Sequence, residues 1–348
     1  MKTIFVEEVG GSREIDIYSD EGFALLSDLW SRSGWQFRSF HDVSWLGVPI
    51  LQLPQDMVMM QELIWKTRPD VIVETGVHLG GSAVFYASML ELIGNGQVVS
   101  IDLTIPRTTR ATLAAHPMGR RITLIEGSSV DESVAAQVRA LIDPQARVLV
   151  ALDSDHSRAH VRRELEVYAP LVKTAGYVVV FDGNMELLAD APGGRPEWLT
   201  DNPATAMREF LAEHPDFESD GYMNRLGATH CPAGFLRRKG QGTSEVVHGG
   251  AERFDEAVGA FRTEQRRVRS ALEASVAEER RRHRDAVAGL QAVEKRSKNS
   301  EAKLKEEVRV LRAELKSVYR SRTWRAGRTL ALMGRPLLRL GGRSPSAR

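Results

Sequence analysis

Five short apolar runs, separated by stretches with helical spacing, constrain the fold of this chain more than any other feature. The runs are Asp70–Gly76 (DVIVETG), Gln97–Leu103 (QVVSIDL), Arg121–Gly127 (RITLIEG), Arg147–Asp153 (RVLVALD) and Gly176–Asp182 (GYVVVFD). Each is rich in Val and Ile and apolar on both faces, as a parallel strand covered by helices on both sides must be. Gly80–Leu92, Arg107–Ala115, Asp131–Leu141 and Ala159–Leu171 read as the intervening helices, with a further helix at Ala204–Glu213. The alternation requires right-handed crossovers and predicts an α/β protein with a doubly wound, Rossmann-like sheet. His230–Arg238 is expected as a closing strand, with Pro232 pointing to an edge or a bulge.

Charge and composition divide the chain. Residues 1–45 read as an N-terminal arm with helical character, 46–240 as the strand-bearing body and 241–250 as a flexible linker. Residues 251–320 read as a long charged helix and 321–348 as a basic tail, amphipathic or disordered. Eight Arg and no Asp, Glu or Lys lie between 320 and 348. The net charge of +1 therefore leaves the first 319 residues at −7. An acidic body with a basic tail argues against nucleic acid as a partner and for a docking segment. The lone Cys231 excludes a disulfide framework and a Cys-rich zinc module. No apolar run reaches the roughly 18 residues of a spanning helix, and the first residues lack a signal-peptide core. A cytoplasmic enzyme is expected, held peripherally at the inner face of the cell membrane by its tail.

An acidic residue stands at or near the carboxyl end of all five strand runs: Glu74, Asp102, Glu126, Asp153 and Asp182. Acidic residues often cap helices, but open α/β sheets also bind ligands at this end of their strands. In Glu74-Thr-Gly76-Val-His-Leu-Gly80-Gly81-Ser82, a glycine turn follows a strand and opens a helix. It lacks the Lys of a P-loop and the spacing of GxGxxG. Asp102 can accept from both hydroxyls of a ribose, and Ser128 and Ser129 can border an adenine. A carboxylate where a phosphate cradle would stand favours S-adenosylmethionine over NAD. Past the next two strands lie Asp153-Ser-Asp155-His156 and Asp182-Gly-Asn184. If those strands pair, Asp153 and Asp182 are about 5 Å apart, suiting Mg²⁺ with His156 as a base beside it. The alternative is that Asp153 caps the next helix and His156 is an ordinary polar residue. His156 and His160 form HxxxH without the Glu of a zinc protease.

Three blocks then show a family resemblance. They are Trp45-Leu-Gly-Val-Pro49 through Gly80-Gly81-Ser82-Ala83, Leu152-Asp-Ser-Asp-His156 through Tyr168-Ala-Pro170, and Ala233-Gly-Phe235-Leu236. Together they resemble the cephalosporin hydroxylase/rhamnosyl O-methyltransferase family over about residues 40–238. The resemblance implies a class I S-adenosylmethionine-dependent methyltransferase sheet and an O-methyltransferase activity, commonly on sugars with Mg²⁺. It implies cofactor contacts at Glu74, Gly76, Gly80, Ser82 and Asp102, a metal ligand at Asp153 and a general base at His156. The family usually has Glu-Asp where this chain has Phe181-Asp182; Asp182 remains a candidate ligand, with Asn184 or Asp155 as further oxygen donors. Asp155 is grouped with His156 as a candidate catalytic residue.

The expected acceptor is a sugar hydroxyl of a surface glycan or glycolipid. The alternatives are a small natural product, or a non-catalytic cofactor-binding scaffold. Acceptor choice is expected in the arm Trp30–Trp45 and the loop Ala189–Asn202. Leu304, Val308, Leu311, Leu315 and Val318 form a 4-3-4-3 seam, continued less cleanly upstream by Val258, Phe261, Val268, Leu272 and Val276. The seam predicts a homodimeric coiled coil. The Arg-rich tail resembles endings of glycan-assembly glycosyltransferases and is expected to meet a membrane surface or such an enzyme.

Overall fold

The computed structural model describes residues 3–8, 11–240 and 251–320. The expected linker 241–250 and basic tail 321–348 lie outside the described residues. The chain divides into two compact units, Met1–Val268 and Arg269–Arg348.

The first unit opens with an antiparallel hairpin of β1 (Thr3–Glu8) and β2 (Gly11–Asp16), then helix α1 (Asp20–Phe37). Ser19 caps α1 by accepting from the Gly22 amide, and Asp20 and Glu21 sit in the first turn, where the helix dipole favours them. The two-residue strands β3 (Ser44–Trp45) and β4 (Val48–Pro49) pair before α2 (Pro54–Thr67). The central alternation follows: β5 (Val71–Thr75), α3 (Gly81–Ile93), β6 (Gln97–Asp102), α4 (Arg107–Ala115), β7 (Ile122–Glu126) and α5 (Glu132–Ala140). It continues through β8 (Val148–Leu152), α6 (Arg158–Tyr168) and β9 (Tyr177–Val180). A short α7 (Met185–Leu188), α8 (Pro203–Glu213), β10 (Phe217–Ser219) and β11 (Phe235–Arg238) complete the body.

Seven strands form one sheet in the order β7-β6-β5-β8-β9-β11-β10. The five from β7 to β9 are parallel; β11 is antiparallel to both neighbours. Each predicted apolar run is thus a parallel strand. The closing strand differs from the expected His230–Arg238 in two respects: it begins only at Phe235, with Pro232 in the turn before it where no ladder hydrogen bond is lost, and it lies between β9 and β10 instead of at the edge.

Alternating side chains fill two layers, which explains the two-sided apolar runs. Val71, Val73, Val99 and Val150 face a core shared with α5, α6 and α8. Ile72, Val98, Leu149 and Val179 face the opposite core, with residues of α2 and α3. Full burial of one such side chain contributes on the order of 1.5–3 kcal/mol. The sheet order reverses at β5, where the chain runs out to β6 and β7 on one side and returns to β8 on the other. That reversal opens a crevice at the carboxyl ends of β5 and β8.

The 70-residue helix α9 (Ala251–Arg320) spans the charged segment. Side chains of the upstream seam residues Val258, Phe261, Val268, Leu272 and Val276, and of Val318, lie outside the described residues. Among the described residues no helix is long and apolar enough to cross a membrane.

Candidate active site

The strand register assembles the site. Thr75 pairs with Leu152, and Leu152 with Val180, so Asp153 and Asp182 emerge just past the same edge of the sheet. A cavity of about 790 Å³ opens there. Of the expected cofactor residues, Gly76, Ser82, Asp102, Ser128 and Ser129 line it. Asp153, Asp155, His156 and Asp182 line it as well. Glu74 and Gly80 are absent from its wall. Glu74 lies buried beneath, accepting from the Ser100 hydroxyl at 2.6 Å; burial pushes its carboxyl up to about 8. Gly80 caps α3 at φ +88°, where an added Cβ would press on Leu113.

Gly76 is required by close approach. Its φ is +90°, and a Cβ there would stand 1.9 Å from the carbonyl oxygen of Asp153. The turn it makes is held from the other side by Asp102, whose Oδ2 accepts from the amides of Val77 and His78 at 2.9 and 3.0 Å. One Asp102 oxygen thus fixes the glycine turn, and Oδ1 makes only a long contact, 3.4 Å, to the Thr104 amide.

Asp153, His156 and Asp182 bring one ligand atom each within 4.8 Å of one another. The His156 Nδ1 lies 3.1 Å from Asp182, and Nε2 lies 3.4 Å from Asp153 without hydrogen-bond geometry. Burial alone would lower the His156 pKa, but the charges of Asp182 and Asp153 outweigh it and raise it to about 9. Burial in turn raises Asp153 to about 6, with His156 opposing. Asp155 instead accepts from the Ser157 amide at 2.8 Å, and Ser157 holds its carboxyl below the usual range. Asp182 itself adopts φ +54°, strain of a kind that collects at functional sites.

Two carboxylates form a hard-oxygen set, and the buried Asn184 Oδ1 is without a hydrogen-bond partner among the described residues. Such an orphan oxygen is costly unless something fills it, and with Asp153 and Asp182 it fits a divalent cation. Phe181, which replaces the family's Glu, is 1% exposed in the core and contributes nothing to the cavity wall.

The arm and the loop expected to choose the acceptor both reach the cavity. Trp35 and Phe40 line it from the arm and Trp198 from the loop. Trp35 meets Trp198 edge-on at 5.7 Å and donates to the Pro192 carbonyl at 3.1 Å.

Sequence reasoning missed three features. Gln52 lines the cavity 2% exposed, with its Oε1 unpartnered among the described residues. His230 lines it 3.8 Å from Asp182, its amide held at 2.8 Å by buried Asp56, which also accepts from the Thr229 hydroxyl. Buried Glu164 accepts from Ser129 and Ser154 at 2.6 and 2.7 Å, tying the loops after β7 and β8 to α6. Gln52 and Asp56 lie inside the first resemblance block and Glu164 inside the second; that inclusion was their only signal.

The family described as Rhamnosyl O-methyltransferase/CmcI matches residues 38–239. The rhamnosyl O-methyltransferase of Mycobacterium tuberculosis (strain H37Rv) is 31% identical over 202 residues, 56% of this chain and 78% of that protein. The rhamnosyl O-methyltransferase of Mycobacterium leprae is 30% identical over 213 residues, 59% of this chain and 88% of that protein. Among solved structures, apo CmcI-N160 is similar with a TM-score of 0.43 and 20% identity, over 58% of this chain and 78% of that one. CmcI-D160 with Mg and S-adenosylmethionine has a TM-score of 0.41 and 20% identity, over 57% and 78%.

Proposed function

Because the chain belongs to the rhamnosyl O-methyltransferase/CmcI family, we propose that it methylates a sugar hydroxyl, of rhamnose or a similar deoxy sugar, on a surface glycan or glycolipid. The enzyme is an S-adenosylmethionine-dependent O-methyltransferase. The supporting observation is the juxtaposition, in one cavity, of the glycine turn, the Asp153–His156–Asp182 cluster and the Trp35–Trp198 wall. S-adenosylmethionine bound there would supply a methyl group carried on a sulfonium, the acceptor oxygen bonding to that carbon as its bond to sulfur breaks and the neutral thioether leaves.

This chain's residues do the rest. Asp102 holds the glycine turn through its Val77 and His78 amides, and the α3 N-terminus that follows presents a positive dipole end to a carboxylate. Gln52 offers an acceptor to an ammonium. Trp35, Phe40 and Trp198 give a sugar ring apolar walls and help to exclude water. Proximity of donor and acceptor within the cavity supplies much of the acceleration. His156, in its neutral form, would receive the hydroxyl proton, and the two carboxylates beside it would stabilise the imidazolium that results. Asp153, Asp182 and Asn184 would hold Mg²⁺, which supplies a positive charge beside the acceptor oxygen and offsets the carboxylate field that keeps His156 protonated.

The expected site residues are read in this light as cofactor contacts (Gly76, Ser82, Asp102, Ser128, Ser129), metal ligands (Asp153, Asp182) and base (His156). Glu74 and Gly80 act from beneath the turn, and Asp155 at the start of α6. The Arg-rich segment is read as a contact to anionic membrane or a glycosyltransferase, and α9 as a homodimerising helix. The full chain, S-adenosylmethionine and rhamnosyl and glucosyl acceptors with free and lipid aglycones test the reading. One-methyl mass gain on the rhamnosyl acceptor supports it; cofactor binding with methylation of non-sugar phenols alone overturns it.

A further inference from the structure

The described part of α9 carries an apolar stripe with nothing packed on it. Leu304, Val308, Leu311 and Leu315 are 64%, 43%, 61% and 55% exposed. Their spacing alternates four and three, which keeps them on one face of a helix. Written as a heptad, Val308 and Leu315 take the a positions and Leu304 and Leu311 the d positions. Val287 and Leu290, also exposed, fall on a and d in the same frame. Val287 and Val308 at a with leucines at d follow the pattern of a parallel two-stranded coil, from which Leu315 at a departs.

The flanking charges point the same way. Glu307 and Glu314 occupy g; Lys305 and Arg312 occupy e. Several charges on α9 pair within the helix, as Lys305 with Glu301, Lys298 with Glu294 and Arg309 with Glu306. Among the described residues Glu307 and Arg312 form no ion pair. They stand five apart, on opposite sides of the seam, and cannot reach each other along one helix. Five residues is the g-to-e′ offset between parallel, in-register helices. Two copies so aligned pair each Glu307 with the other's Arg312, whereas an antiparallel arrangement sets Glu against Glu and Lys or Arg against Arg.

We infer that α9 joins two copies of this chain as a parallel, in-register coiled coil over residues 304–315, keyed by Glu307 and Arg312. The inference rests on the reading of α9 as a dimerising helix and adds its direction and register. Two features end the clean seam upstream: Glu301 and Glu294 fall on a, where a parallel partner sets like charges face to face. In this alignment both Arg-rich C-terminal segments follow the same end of the coil, so an anionic surface would meet them together.

The test uses the full-length chain. Sedimentation equilibrium gives the dimer dissociation constant for the wild type, Arg312→Glu, Glu307→Arg and the doubly exchanged chain, with circular dichroism checking helix content. Each single exchange turns two attractive pairs into repulsive ones and should weaken the dimer about tenfold; the double exchange should restore it. Leu304→Cys should form an intermolecular disulfide under mild oxidation, because in-register parallel helices set position 304 opposite itself. A wild type that stays monomeric at 100-fold dilution series concentrations up to about 0.1 mM overturns both dimerisation and the inference. A dimer that persists in Leu311→Asp overturns the role of α9. A dimer lost in Leu311→Asp but indifferent to the charge exchanges, with no disulfide at 304, leaves α9 dimerising and overturns the parallel register.

Discussion

His156 Nδ1 stands 3.1 Å from a carboxylate oxygen of Asp182 while its Nε2 faces Asp153 at 3.4 Å. An imidazole flanked this way is a cation at neutral pH, with a pKa of about 9. A histidine whose folded pKa is raised stabilises the fold fully below its unfolded value near 6.5, and that contribution disappears as pH climbs through about 9. Without divalent cation, the thermal-stability gap between wild type and His156→Ala should therefore narrow steadily from pH 6.5 to 9. A gap that is constant over this range would remove the ion-pair account of His156.

Addition of Mg²⁺ should shift the same histidine. A divalent charge held by Asp153 and Asp182 disfavours an adjacent imidazolium. Side-chain NMR titration should show the His156 pKa falling by at least one unit when Mg²⁺ saturates the protein, and unmoved in Asp182→Asn. Asp153→Asn and Asp182→Asn should each weaken Mn²⁺ binding at least tenfold, and Asn184→Ala less.

His156→Ala should abolish methyl transfer and leave S-adenosylmethionine affinity within about threefold, since the proton and the methyl donor are separate demands. Calorimetry with the full chain measures the affinity. A parallel loss of cofactor binding would assign His156 to the cofactor wall.

Glu74, with its carboxyl at about 8, is neutral at pH 7. An acid whose folded pKa is raised costs stability as pH rises from its unfolded value, near 4.5, up to about 8, because only the unfolded chain ionises there. Glu74→Gln keeps a partner for Ser100 and cannot ionise. Its stability relative to wild type should rise across pH 4.5–8, as read by urea midpoints. Glu74→Ala leaves a void and an unpaired Ser100 and should cost on the order of 2–4 kcal/mol.

Gly76→Ala places a methyl 1.9 Å from the Asp153 carbonyl in a left-handed turn. The expected cost is about 3 kcal/mol or more, or loss of soluble protein. Gly94→Ala, which shares the positive φ but meets nothing within 4 Å, should cost about 1 kcal/mol. Equal melting temperatures for the two variants would contradict the close-approach argument.

The parallel strands were legible because a strand with helices on both faces must be apolar at every position, as VLVAL in β8 is. The hairpin β1–β2 was not: GSREID mixes charge into a short strand, and no apolar run marks it or its pairing with β1. Acidic strand ends announced the site, but not how each acid is used. Nothing in the sequence distinguishes Asp102, which spends one oxygen on two backbone amides, from Glu74, which lies below the cavity. Gln52 and His230 escaped for a related reason. An unpartnered amide oxygen, or a ring carried to Asp182 by a loop tied to Asp56, is a fact of packing and leaves no periodicity behind.

The contact between Gly76 and Asp153 has a thermodynamic side. The turn proposed to face the methyl donor and the residue proposed to face a cation share a backbone surface with no room for a methyl group between them. Neither can be repositioned alone. Ligands at the two places are then linked reciprocally: whatever factor the cation adds to the affinity for the donor, the donor returns to the cation.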